Sequence, residues 1–223
     1  MKNSLSYKFK YPITCYNYKI EKMQERQGHG MPKIDTDKFY TSAIKMHGTS
    51  AKGVNWASKE NQVLRFKEIL SLLPSDLSSS SLADAGCGFG DFYTYLEKKK
   101  RLPKHYIGLD YHLDMCSIAE QKTAQEIINA DICRETLPVC DYYICSGALN
   151  VLTEFETHLF IQNCFSASKK AFIFNALHGD KTSDTYNYIT TEQIKSIAKD
   201  LNVSEVVFRS GYLENDITVS FIR

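Results

Sequence analysis

The stretch LADAGCGFG, residues 82–90, is a short apolar run that closes on three glycines within five residues and leads into FYTYLEKKK at 92–100. An apolar run, a glycine cluster and then helical spacing predict a strand, a tight turn and a helix N-terminus. The same alternation continues downstream. HYIGLD at 105–110 precedes LDMCSIAEQK, then come AQEIINAD at 124–131 and DYYICSG at 141–147, followed by a helix opened by TEFE at 153–156. KKAFIFNAL at 169–177 precedes a helix opened by TTEQ at 190–193, and VSEVVFRS and ITVSFIR close the chain. Thr153 with Glu156 and Thr190 with Gln193 have the spacing of a capping box, which supports those helix starts. Strands alternating with helices need crossover connections, so the expected fold is α/β: a mainly parallel seven-stranded sheet with helices on both faces. Only about half a dozen residues around GYLEND join the last two strands, too few for a helical crossover, so the last strand should run antiparallel.

Upstream, Val63, Phe66, Leu70 and Leu73 are spaced as one helical stripe before the serine linker SDLSSSS at 75–81. Residues 1–52 differ in charge. They hold ten Lys/Arg against four Asp/Glu, whereas the remainder is net acidic by five. Tyr7, Phe9 and Tyr11 alternate with Lys8 and Lys10, and QGHGMP at 27–32 carries turn residues, with Met31 a possible natural start. The expected organisation is a basic N-terminal arm over 1–52, partly ordered or flexible, and one domain over 53–223. The arm is either a loose cover for the domain or a basic aromatic segment that contacts RNA.

With 223 residues, a net charge of +1, 43% hydrophobic residues and a mean hydropathy of −0.32, the chain supports one core and no membrane span. The seven cysteines are an odd number without framework spacing, and no CxxC pairs them for zinc, so they read as free thiols of a cytoplasmic protein with no metal.

In open parallel sheets a ligand lies beyond the carboxyl ends of the strands. Gly86, Gly88 and Gly90, with Cys87 between them, follow the first strand, where glycines permit positive φ and a helix N-terminus offers N–H groups. Asp110 ends the second strand 20 residues past Gly90, the place of a carboxylate that accepts ribose hydroxyls. After the third strand, Asp131 can accept from an exocyclic adenine amine while Ile132 covers the ring, or Asp131 simply caps a turn. A dinucleotide fingerprint would need a glycine where this chain has Asp91, whose carboxylate would repel a pyrophosphate at the helix start. GxGxG instead suits a ligand with a zwitterionic amino-acid end.

These residues resemble the first motif (LADAGCGFG, 82–90), the ribose acid (YIGLD, 106–110), the adenine contact (NADI, 129–132) and the fourth strand (DYYICSGALN, 141–150) of the class I S-adenosylmethionine-dependent methyltransferases. The resemblance implies a Rossmann-like fold, S-adenosylmethionine as cofactor and S-adenosylhomocysteine as product. It assigns Asp84 and the loop of Gly86, Cys87, Gly88 and Gly90 to the methionine portion, Asp110 to the ribose, and Asp131 with Ile132 to the adenine, with Tyr111 and Leu113 lining the nucleoside pocket. GVNWASKENQVLRF at 53–66 looks like the leading segment of a bacterial subgroup, in which Arg65, on one helix face with Gln62, would take the cofactor's carboxylate. The alternative for both is a solvated helix face, with Trp56 in the core.

The methyl donor is already activated, so the protein's task is alignment and exclusion of water. Ser146 and Asn150, after the fourth strand, and His178, with Tyr111 and His112 as neighbours, are the candidates beside the reacting atoms. SGALN departs from the Asn-Pro-Pro-Tyr of DNA-amino methyltransferases. A small-molecule acceptor is expected, because residues 53–223 are net acidic. The rivals are an RNA or protein methyltransferase that uses the arm, a non-catalytic adenosyl-binding protein, and an NAD-dependent oxidoreductase.

Overall fold

The computed structural model describes residues 35–50, 53 and 58–223. The aromatic alternation at Tyr7–Tyr11, QGHGMP with Met31, and Trp56 lie outside them. Within the span expected to be an arm, α1 (Thr36–His47) is a helix that starts where the Asp35 carboxylate accepts the Lys38 N–H at 3.0 Å and stops at Gly48, φ 59°. An acidic N-cap and a glycine stop are helix signals, and Asp35 and Gly48 carry them.

The leading helix is α2 (Lys59–Leu72), begun by Ser58, whose hydroxyl accepts the Asn61 N–H at 3.2 Å. Its buried side keeps Phe66, Leu70 and Leu73 of the stripe that apolar spacing predicts, loses Val63 and adds two polar residues. Gln62, Arg65, Phe66, Ile69 and Leu70 face inward and Val63 is exposed. Two polar residues take inward positions because the start of α2 lies over the carboxyl end of the sheet, where they find partners.

The sheet is built from β1 (Ser81–Ala85), β2 (His105–Asp110), β3 (Glu126–Asn129), β4 (Cys140–Ser146), β5 (Ser168–His178), β6 (Tyr188–Ile189), β7 (Glu205–Ser210) and β8 (Asp216–Ile222). The order is β3-β2-β1-β4-β5-β8-β7, with β8 antiparallel to both β5 and β7 and the other pairings parallel. Eight strands rather than the expected seven arise because β6 pairs in parallel with Leu177 and His178 at the end of β5. Two residues show no alternation, so periodicity has nothing to detect.

Between the strands lie α3 (Asp91–Lys98), α4 (Leu113–Thr123), α5 (Glu154–Ala167) and α6 (Thr191–Asp200). Both expected capping boxes form, at Thr153/Glu156 and Thr190/Gln193. One core cluster joins Phe66, Ile69 and Leu70 of α2 to Phe92 and Leu96 of α3 on one face. The other joins Phe160, Ile161 and Phe165 of α5 to Ile194 and Ile197 of α6 on the opposite face. Burying rows of apolar side chains on both faces is what holds a parallel sheet. Strand order runs outward from β1 in one direction and from β4 in the other, so the loops after β1 and β4 part and leave a crevice at their carboxyl ends. Among the described residues no helix is long and apolar enough to cross a membrane.

Candidate functional site

The turn after β1 is fixed to the end of β2 by backbone alone: the N–H groups of Gly86 and Cys87 both donate to the Leu109 carbonyl, at 2.8 and 3.0 Å. Gly86 has φ 78°, and a Cβ there would sit 2.6 Å from the Ala148 Cβ, so only glycine lets the β1 and β4 loops approach this closely. The next N–H, of Gly88, donates to Asp110 Oδ2 at 2.8 Å, and the His112 N–H donates to Asp110 Oδ1 at 3.0 Å. Burial raises the pKa of Asp110, against the opposing pull of these two N–H groups.

Asp84, at the end of β1, accepts from the Tyr106 hydroxyl at 2.6 Å, and its burial pushes the carboxyl up to about 7. Asp91 opens α3. Although burial opposes ionisation, the Lys122 ammonium 2.5 Å away, with Gln62 (Nε2 donating at 3.0 Å) and Lys59 at 3.7 Å, holds its carboxyl below the usual carboxylate range. Arg65 donates from Nε to Asp216 Oδ2 at 2.6 Å and also pairs through Nη2. Burial raises the Asp216 carboxyl while the Arg65 charge opposes it. From Asp216 a chain of hydrogen bonds crosses the sheet: the Tyr212 hydroxyl donates to Asp216 Oδ1 at 2.8 Å and lies 2.8 Å from Thr218 Oγ1. Thr218 accepts from Asn175 Nδ2 at 2.6 Å, and Asn175 Oδ1 accepts from Ser146 Oγ at 2.9 Å.

Around these groups is a cleft of about 250 Å³. Its polar lining includes Asp84, Asp91, Asp110, Asp131 and Glu156 against Arg65 and Arg134, and its apolar lining includes Tyr40, Phe89, Ile132, Leu152, Phe160 and Tyr186. Burial near the charge of Asp110 and beside Tyr186 raises the pKa of the Tyr40 hydroxyl on α1.

Residues 82–171, which run from β1 into β5 and hold this glycine turn, match the family described as methyltransferase domain. That stretch carries the sequence pattern of a methyltransferase domain. No curated protein matches the chain in sequence. In fold, the chain resembles a SAM-dependent methyltransferase from Leishmania major (TM-score 0.66, 17% identity, covering 92% of this chain and 91% of that one). It also resembles magnesium protoporphyrin IX methyltransferase from Synechocystis PCC 6803 with bound SAM (TM-score 0.58, 14% identity, 95% of each chain). A third likeness is to an S-adenosylmethionine-dependent methyltransferase from Mesorhizobium loti (TM-score 0.56, 16% identity, 72% of this chain and 98% of that one).

Of the residues singled out in the sequence, Gln62, Arg65, Asp84, Gly86, Cys87, Gly88, Asp110, Tyr111, Asp131, Ile132, Ser146 and Asn150 line one cleft. Gly90, Leu113 and His178 are not among its lining residues. Gly90, φ 71°, instead lets α3 pack on α4, since a Cβ there would meet Thr123 Cγ2 at 2.5 Å. Leu113 is 68% exposed. His178 ends β5 with Nε2 3.0 Å from Thr191 Oγ1. Asn150 is occupied in structure, its Oδ1 accepting the Leu177 N–H at 2.9 Å. Asp131 accepts the Cys133 N–H at 3.0 Å and pairs with Arg134 at 3.4 Å, so it shapes the turn and also lines the cleft. The sequence did not point to Tyr40, Tyr186 or the Asp216 partner of Arg65. For Tyr40 the missing signal was the Asp35 and Gly48 helix punctuation, while Tyr186 and Asp216 are joined to the site only by the fold.

Proposed function

We propose that the protein transfers the methyl group of S-adenosylmethionine to a small-molecule acceptor and releases S-adenosylhomocysteine. The observation that carries this reading is the charge of the cleft: five carboxylates against two guanidinium groups among its described lining residues. That balance favours a cationic sulfonium and ammonium ligand and works against an acceptor with a phosphate backbone. The apolar wall of Tyr40, Leu152, Phe160 and Tyr186 suits a compact, partly apolar acceptor.

The residues present fit the cofactor. Asp84, poised near neutrality by burial, gains a reason to ionise when a cation lies beside it. Gly86 and Gly88, both at positive φ and both lining the cleft, provide the cradle for the methionine end, with Cys87 buried between them. Asp110 uses one lone pair on each oxygen for the Gly88 and His112 N–H groups and keeps the others for ribose hydroxyls. Asp131 and Ile132 hold the adenine, and Tyr111 edges the nucleoside. Gln62 and Arg65 close the methionine side, held there by Asp91 and Asp216. When bound, the cofactor supplies an activated methyl group, so the protein contributes orientation and a dry site. Ser146, held by Asn175, and Asn150, held by Leu177, form the floor beneath the reacting atoms rather than a base. We place the protein in the cytoplasm, where thiols such as those of the described cysteines stay reduced.

Calorimetric titration with S-adenosylmethionine, S-adenosylhomocysteine and NADH tests the cofactor. Binding of the first two and none of the third is expected, and NADH binding that competes with S-adenosylhomocysteine would overturn it. RNA binding with a steep salt dependence, lost on deletion of residues 1–30, would replace the small-molecule acceptor by a nucleic acid.

A further inference from the structure

We propose that His112 is a two-ended connector that ties helix α1 to the nucleoside end of the cleft, with Nε2 holding Thr41 of α1 and Nδ1 reserved for a ribose hydroxyl of the bound cofactor. The inference rests on the cofactor reading above and goes beyond it, since it gives α1 a role in binding.

His112 is 8% exposed and lines the cleft. Its backbone N–H is used by Asp110, and its Nε2 lies 3.1 Å from Thr41 Oγ1. Nδ1 is buried and has no hydrogen-bond partner. A buried ring nitrogen without a partner is rare in a folded protein and calls for an explanation, of which a ligand group is one. The neighbour that decides between explanations is Asp110, two residues earlier, whose carboxylate accepts the His112 N–H. A hydroxyl that donates to Asp110 still has oxygen lone pairs, and these can accept from an Nδ1–H. If Thr41 donates to Nε2, the ring carries its proton on Nδ1, the tautomer this arrangement needs; with the opposite tautomer Nδ1 accepts the hydroxyl proton instead. Either state satisfies the nitrogen with one ligand hydroxyl.

A second observation points the same way. Tyr40, the residue before Thr41, lies on the same turn of α1, lines the cleft and feels the charge of Asp110. Two consecutive residues of α1 thus converge on the end of β2, so α1 is seated by the groups that would hold the ribose. Ligand binding at Nδ1 orients the ring, and the oriented ring holds Thr41. Occupancy and seating of α1 are therefore coupled, and each strengthens the other.

The side chains of Asn and Gln separate the two ends, because the Asn amide nitrogen falls near Nδ1 of a histidine and the Gln amide nitrogen near Nε2. His112→Gln should weaken S-adenosylhomocysteine binding by about tenfold, the effect of losing one hydrogen bond. His112→Asn, which keeps a donor near the Nδ1 position, should weaken binding less than His112→Gln does, while hydrogen exchange of the α1 amides quickens and no longer slows on adding ligand. Thr41→Val leaves the ring intact and should reproduce the exchange phenotype of His112→Asn, which keeps the test available if a ring replacement fails to fold. Calorimetry and exchange on the full chain read both quantities. Wild-type affinity in His112→Gln, or α1 exchange in the wild type that is indifferent to S-adenosylhomocysteine, would overturn the connector and leave the cofactor reading standing. A wild-type chain that binds no S-adenosylhomocysteine would overturn both.

Discussion

The Gly88 N–H donates to the carboxylate of Asp110 across 2.8 Å, so the glycine turn after β1 and the acid at the end of β2 are one hydrogen-bonded unit. Removing the Asp110 carboxylate leaves the Gly88 N–H without this acceptor. That coupling explains why a short turn and a lone acid in the sequence meet at one cleft.

The first prediction concerns that acid. Asp110→Ala removes the acceptor proposed for the ribose and frees the Gly88 N–H. The expected loss of S-adenosylhomocysteine affinity is about 1.5 to 3 kcal/mol, the scale of hydrogen bonds to a charged group. Titration of the variant at neutral pH reads it directly, and an affinity equal to that of the wild type would mean that the ribose lies elsewhere.

Asp84 gives a pH dependence. Its carboxyl is raised by burial to about 7 in the free protein. A bound cation favours the ionised form and lowers that pKa, so binding releases a proton while the free carboxyl is still protonated. Affinity should therefore climb as the pH is raised toward 7 and level off above it. Stability of the free chain runs oppositely: with the folded pKa above the unfolded one, this group's contribution is fully present below about 4 and fades as pH rises through about 7. Asp84→Asn, which still accepts from Tyr106, should flatten both profiles. Calorimetry from pH 5.5 to 8 in the two proteins, with thermal melts alongside, would expose the idea as wrong if the slopes matched.

Much of the architecture was readable because its signals are local. Glycines at 86 and 88, acids at 84 and 110, and the boxes at Thr153 and Thr190 each announce themselves within a few residues. Val63 and Arg65 show where local reading stops. Apolar spacing placed Val63 inside, but the fold buries Arg65 because Asp216, 151 residues later, is there to receive it. Periodicity ranks residues by polarity and has no access to a partner that tertiary structure brings in. The same limit hid the role of Gly90, which looks like part of a ligand turn and is spent on the contact with Thr123 of α4.

The Arg65–Asp216 pair supplies a stability test. Both side chains are nearly buried, 9% and 2% exposed. Arg65→Met leaves a buried carboxylate without its cation and should cost about 3 to 5 kcal/mol in denaturant unfolding, whereas the double change Arg65→Met with Asp216→Leu should recover much of it. Equal losses in single and double variants would show that the pair acts through packing alone.

Gly86 and Gly90 both have positive φ, yet they should respond differently to alanine. At Gly90 the added Cβ meets Thr123 Cγ2, and the Thr123 hydroxyl is tied to the Ala119 carbonyl at 2.7 Å, so the methyl cannot rotate away without breaking that bond. Backbone strain of about 1 to 2 kcal/mol and overpacking of about 1 to 3 kcal/mol should add. Thr123→Ser keeps the hydroxyl and deletes the methyl, so the pair Gly90→Ala with Thr123→Ser should regain the overpacking part and retain the strain. Because Gly90 does not line the cleft, ligand affinity of the folded variant should stay near that of the wild type. At Gly86 the Cβ would press on Ala148, which lines the cleft, so Gly86→Ala should lower affinity as well as stability. Unfolding curves and calorimetric titrations on the three variants separate the two glycines, and parallel losses of affinity at both positions would return Gly90 to the binding turn.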